Sequence, residues 1–342
     1  MTIRVVVVDD SATMRSLIST TLGSDPEIEV VGEAADPYEA REVIKKTSPD
    51  VITLDVEMPN MSGISFLDKI MKLRPTPVIM VSTLTQRGAD ASLAALEIGA
   101  FDCIQKPSSS LPGAFDTLIQ KVKDAAQAGC KPRRLSILKE SNKIQDYKPD
   151  GSIVAIGSST GGVEALIEIL SGFPKNCPPT IISQHMPANF IKSFILRLRK
   201  LCQPNIHEAQ SGQNLEVGNV YFSPGDQHME IFGQSNYIIK LNQFEKVNGH
   251  RPSVDVMFES VAKYAGSKAV GVILTGLGAD GAHGLLSMRI AGAKTIGQDE
   301  DSCVVYGMPR VAFEIGAVWQ QSPIDKISEQ ILKITNRRKM VD

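Results

Sequence analysis

The second half of the chain places a serine, a histidine and an aspartate at matching positions, each just past an apolar run. Ser159 lies in Gly157-Ser158-Ser159-Thr160-Gly161-Gly162, after the run 153–156 and before an amphipathic pattern (Val163, Leu166, Ile167, Leu170). That profile predicts a buried strand, a tight turn and a helix start. His185 follows the run 180–183, and Asp280 follows 269–274. A serine needs a base to attack at neutral pH, and the base needs an acid that holds its tautomer and stabilises the imidazolium. Backbone N–H groups at the helix start, at Thr160, Gly161 and Gly162, are candidates for part of an oxyanion hole.

Local sequence leaves alternatives open. A Gly/Ser-rich strand–helix turn is often a phosphate cradle, but this one lacks the following Lys-Ser or Lys-Thr of a P-loop. The nucleophile elbow GxSxG is absent, and the order Ser, His, Asp is not that of the α/β-hydrolases. His207, His228, His250 and His283 are other candidate bases, and Asp226 and Asp255 other candidate acids.

The first third carries a different chemistry. Apolar runs at 3–8, 28–32, 51–54, 78–81 and 102–104 alternate with helical patterns. Asp9 and Asp10 end the first, Asp55 the third and Ser82 the fourth, while the fifth leads into Lys106-Pro107. In a parallel sheet these positions share the carboxyl edge. Carboxylates converging there need a positive partner, and Mg²⁺ fits because it takes oxygen ligands, keeps waters and accepts phosphate oxygens. One of the acids could then accept a phosphoryl group. The plainer alternative makes the acids helix N-caps.

These residues need scaffolds. A length of 342 residues suggests two domains, and the strand–helix alternation in both halves predicts α/β units with mainly parallel sheets. Expected bounds are a domain over 1–124, a polar, charged linker over 125–150, and a second domain over 151–342. Residues 218–242 are broken by Pro-Gly and Gly-Gln-Ser-Asn and are expected to form antiparallel hairpins. A net charge near −2 gives no electrostatic case for a nucleic-acid or lipid binder. The five unpatterned cysteines read as reduced thiols of a cytosolic protein. No apolar run approaches the ~18 residues of a membrane span.

VVVDDSATMR, DVEMPNMSG, MVST and IQKPS together resemble a response-regulator receiver domain of flavodoxin-like fold. The resemblance implies that Asp55 is phosphorylated by a chemotaxis histidine kinase. It also implies that Asp9, Asp10, Asp55 and the Glu57 carbonyl hold Mg²⁺, and that Ser82 and Lys106 respond to the phosphoryl group. Cys103 stands where a switching aromatic is common. AIGSSTGG, SQHMP, FSPGDQHME, RPSVDVMF, LTGLGADGA and CVVYGMPR resemble the catalytic domain of the chemotaxis protein-glutamate methylesterases, which is Rossmann-like. That likeness puts the catalytic triad on Ser159, His185 and Asp280. It implies methyl ester hydrolysis and glutamine deamidation on methyl-accepting chemotaxis receptors, with no cofactor for the esterase step. The competing expectation, a DNA-binding output, would need a small helix-turn-helix or winged-helix unit and a basic face.

Overall fold

Val/Ile-rich runs with no polar alternation must be covered on both faces, which calls for helices on either side of a parallel sheet. The computed structural model describes residues 2–59, 61–83, 85–106, 115–130 and 147–337. The chain divides into two compact units, Met1–Arg134 and Leu135–Asp342. Most of the expected linker falls outside the described residues.

In the first unit, β1 (Ile3–Val8), α1 (Ala12–Gly23), β2 (Ile28–Ala34), α2 (Pro37–Thr47), β3 (Val51–Asp55), α3 (Gly63–Leu73), β4 (Val78–Ser82), α4 (Gln86–Ile98), β5 (Asp102–Gln105) and α5 (Asp116–Ala128) alternate. The strands are parallel in the order β2-β1-β3-β4-β5. β3 and β4 are buried throughout. The strand order reverses between β1 and β3, which opens a crevice at their carboxyl ends. Side chains of Ser11, Asp36, Ser62 and Thr85 accept backbone N–H groups and start the four helices that follow them.

The second unit runs β6 (Ile153–Ser158), α6 (Gly162–Ser171), β7 (Thr180–Gln184), α7 (Ala188–Leu201), β8 (Asn205–Glu208), β9 (Asn219–Phe222), β10 (His228–Phe232), β11 (Ile238–Asn242), α8 (Val254–Tyr264), β12 (Ala269–Ile273), α9 (Ala282–Ile290), β13 (Lys294–Gln298), α10 (Met308–Glu314), β14 (Gln320–Ser322) and α11 (Ile324–Ile334). Seven strands form a parallel sheet in the order β14-β13-β12-β6-β7-β9-β8. The hairpin expectation for 218–242 holds only for β10 and β11, which pair antiparallel from His228↔Asn242 to Phe232↔Ile238. β9 instead joins the parallel sheet: Val220, Tyr221 and Phe222 are all buried, so it needs cover on both faces. Met257, Phe258 and Val261 of α8 share one buried cluster with Met229 and Ile231 of β10 and with Leu285 and Met288 of α9. That packing fixes the N-terminus of α8 over the sheet.

Candidate active site

β6 lies between β7 and β12. The chain leaves β6 toward β7 and later returns on the other side as β12, so the sheet reverses at β6/β12. Ser159, His185 and Asp280 lie past the carboxyl ends of these strands. Ser158 is in register with Gln184, which makes Ser159 and His185 the next residues on adjacent strands. The His185 N–H donates to the Ser158 carbonyl at 3.1 Å, and the Ser159 N–H to the Thr275 carbonyl at 3.0 Å.

The serine turn is fixed from several sides. Gln184 Nε2 donates to the Ser159 carbonyl at 2.9 Å, and Ser158 Oγ donates to Gln184 Oε1 at 2.5 Å. Gly161 caps α6 at φ 79°, in the left-handed region that suits glycine. Of the three expected oxyanion donors, the Gly162 N–H is engaged, donating to the Ser159 carbonyl at 2.8 Å. Gly276 makes room for the serine: a Cβ there would lie 2.7 Å from Ser159 Cβ and 2.3 Å from Met308 Sδ. Gly276→Ala is therefore expected to displace Ser159 and slow fluorophosphonate labelling of the serine on the order of 10²-fold. A melting curve run alongside separates displacement from unfolding.

His185 Nε2 and Asp280 Oδ2 are 2.8 Å apart. Asp280 is 1% exposed and accepts four further hydrogen bonds: from Ser253 Oγ (2.7 Å), Asn248 Nδ2 (3.0 Å) and the N–H groups of Val254 (2.7 Å) and Asp255 (3.2 Å). Ser253 caps α8, so the carboxylate sits at a helix N-terminus, where the dipole favours negative charge. Burial alone would raise its pKa. The hydrogen bond and charge of His185, with the Asn248 and Val254 donors, outweigh burial and hold the carboxyl well below the usual range. On the other side of the ring, His185 Nδ1 is buried with no hydrogen-bond partner among the described residues. Serine and histidine are thus adjacent but not bonded to each other. The His185 ring stacks on that of His250, with centroids 3.7 Å apart and planes at 7°.

The other candidate bases and acids are placed differently. His207 binds Asn219 Oδ1 and stacks on Tyr221. His228 spends Nε2 on the Glu245 carbonyl and Nδ1 on the Ser253 N–H. His283 lies in the first turn of α9. Asp226 pairs with Arg251. Asp255 accepts from the Gly284 N–H at 2.6 Å and Asn248 at 2.7 Å, and burial pushes its pKa up. Sequence reasoning missed Gln184, Asn248 and the Asp280 contact of Ser253. An Asn-Gly dipeptide and a serine before a helix were the available signals, and neither points to a particular partner.

In the first unit, Asp9, Asp10 and Asp55 present oxygens within 4.8 Å of one another. Lys106 Nζ lies 2.8 Å from both Asp9 Oδ2 and Asp55 Oδ2 and pairs with both carboxylates. Asp10 is not the cap of α1; Ser11 is, and Asp9 Oδ1 accepts the Ser11 N–H at 2.9 Å. Burial raises the Asp55 pKa to about 6, helped by the Asp9 charge and opposed by Lys106 and the Glu57 N–H. An oxygen-only donor set that crowds its own charges suits a hard divalent cation. Ser82 is buried at the neighbouring strand end. Pro107 lies outside the described residues.

A receiver-type acidic crevice, followed in the same chain by an α/β unit with Ser, His and Asp at its switch point, defines a response regulator with an enzyme-like output unit. Residues 5–119 match the response regulator receiver domain, and residues 154–331 match the CheB methylesterase family. The chain belongs to the CheB methylesterase family. Its relatives include protein-glutamate methylesterase/protein-glutamine glutaminase 1 of Rhizobium johnstonii, 58% identical over 338 residues, covering 98% of this chain and 97% of that one. The protein of the same name from Salmonella typhimurium, without the numeral, is 47% identical over 335 residues, covering 96% of each chain. The crystal structure of the Thermotoga maritima CheB methylesterase catalytic domain covers 54% of this chain and 98% of its own, at 38% identity and a TM-score of 0.53. Among the described residues no helix is long and apolar enough to cross a membrane.

Proposed function

We propose that the chain hydrolyses glutamate methyl esters on methyl-accepting chemotaxis receptors, deamidates receptor glutamines at the same centre, and is controlled by phosphorylation at Asp55. The carrying observation is the His185–Asp280 pair, closed by four further donors, beside Ser159 at the switch point.

An ionised carboxylate only accepts hydrogen bonds, so the proton of neutral His185 sits on Nε2 and the lone pair on Nδ1. Nδ1 is therefore the base. It takes the Ser159 hydroxyl proton as Oγ attacks the ester carbonyl, and it returns that proton to the leaving oxygen, releasing methanol. Water, deprotonated by Nδ1, then attacks the acyl-enzyme, and collapse frees glutamate and re-protonates Ser159. With glutamine the leaving group is ammonia. The N–H groups at the start of α6, at Thr160, Gly161 and Gly162, are the candidates for part of the oxyanion hole, and the Gly162 N–H would have to turn from the Ser159 carbonyl to serve there. No cofactor enters this sequence.

In the receiver, Asp9, Asp10, Asp55 and the Glu57 carbonyl would hold Mg²⁺, which supplies charge neutralisation at the phosphoryl oxygens. Asp55 accepts the phosphoryl group from a chemotaxis histidine kinase, with Lys106 and Ser82 at its oxygens. Acetyl phosphate with Mg²⁺ is expected to shift the chain on a phosphate-affinity gel and to raise methanol release from methylated receptor membranes. EDTA or Asp55→Asn should abolish both responses. A rise in methanol release that survives Asp55→Asn overturns the regulatory reading.

A DNA-binding output is not supported: the second unit is a seven-stranded parallel sheet.

A further inference from the structure

We propose that the turn Val247-Asn248-Gly249-His250 is a strap that positions the acid–base pair, with Asn248 fixing Asp280 and His250 fixing the ring of His185. The proposal rests on the reading of His185 as the base for Ser159, and it adds two positioning residues to that centre.

The turn is built for one conformation. Val247 N–H donates to the His250 carbonyl at 3.1 Å, and His250 N–H donates to the Val247 carbonyl at 2.9 Å. Asn248 and Gly249 have φ of 53° and 79°, the left-handed pair for which Asn-Gly is the favoured dipeptide. Such a turn normally joins two long strands. Here it lies between β11 and α8 and only its ends bridge. Arg251 ties it down: Nη1 donates to the carbonyls of Gln243 (3.1 Å) and Phe244 (2.8 Å), and Nε and Nη2 donate to Asp226 Oδ1 at 2.9 and 2.7 Å.

Two side chains of this turn reach the two members of the pair. The Asn248 amide nitrogen donates to Asp280 Oδ1 at 3.0 Å and to Asp255 Oδ2 at 2.7 Å. An amide has two hydrogens, one for each carboxylate. These acids are 1% and 5% exposed; an amide between them offsets their repulsion and fixes the plane of Asp280. The His250 ring lies flat on that of His185. A parallel ring at contact distance restricts rotation of His185 on that face while Nε2 stays on Asp280.

The test uses the full chain and two readouts: the rate of fluorophosphonate labelling at Ser159, and kcat and KM for methanol release. His250→Ala is expected to slow labelling about 10-fold or more through lost orientation, with kcat falling and KM changed less than about twofold. His250→Phe restores a flat ring and should return labelling to within about threefold of wild type. Asn248→Gly keeps the left-handed turn and removes the amide, and should also slow labelling. In an Asp280→Asn background the same change should cost less than about threefold, because the amide acts through Asp280. Wild-type labelling in His250→Ala, a Phe variant as slow as the Ala variant, or full additivity of Asn248→Gly with Asp280→Asn would overturn the strap. Undiminished labelling of Ser159→Ala would instead overturn the nucleophile assignment itself. Melting curves confirm that each variant is folded.

Discussion

With Ser159 replaced by alanine, fluorophosphonate labelling is expected to vanish and methanol release to fall by about 10⁴-fold or more. Everything around the residue would persist. The turn is held by backbone and by Gln184, not by the serine hydroxyl, so the variant should melt like the wild type. Receptor membranes should still bind, because only the attacking atom is gone. Ser158 cannot substitute: it is fully buried, and its hydroxyl donates to Gln184 Oε1. Ser158→Ala should therefore keep labelling at Ser159, weakened only as far as Gln184 loses its hold on the turn. Near-normal methanol release from Ser159→Ala would refute the mechanism.

The second large effect belongs to Asp280. Asp280→Asn should lower turnover by about 10⁴-fold, because an amide at this place no longer enforces the proton on Nε2 or stabilises the imidazolium. Unlike Ser159→Ala it should also destabilise the fold, on the order of 1–3 kcal/mol, since the N-terminus of α8 and Asn248 lose their anionic acceptor. The pH dependence follows from the direction of the shift. The carboxyl is held below its ordinary value in the folded state, so its contribution is complete above the unfolded pKa of ~3.9 and is lost as pH falls through the folded pKa. At pH 7 the variant lacks that contribution and its Tm drops. Toward strong acid the gap between variant and wild type should narrow, as protonation removes the same charge from both. A constant gap from pH 7 down to pH 2 would mean that Asp280 acts through shape and not through charge.

Much of the fold is legible in the sequence. Strands covered on both faces write themselves as unbroken apolar runs, as at Val5–Val8 and in β6, and strand ends in parallel sheets collect chemistry. β8 and β14 were not legible. The first is four residues and the second is Gln-Gln-Ser, so neither carries an apolar signal. The sequence of β9 suggests a hairpin strand because its flanking turns look the same whether the strand pairs with its neighbour or with β7 and β8. At the site, Ser159, His185 and Asp280 announce themselves by type and place. Asn248 and His250 do not, because a turn sequence states its own geometry and says nothing of what it leans against. Among the four histidines besides His185, only the stacking on the His185 ring sets His250 apart.

The anchoring of Asp280 on the first turn of α8 has a consequence for the newly made chain. Ser159 leaves the ribosome early, yet its base gains an acid only from a residue 95 positions beyond His185. That acid is in turn gripped by a helix that must already be docked on the sheet. Nascent and truncated chains would therefore carry an exposed but unarmed serine. Ester hydrolysis would begin only after β12 has joined the sheet and α8 has docked, so the fold acts as its own safety catch during synthesis.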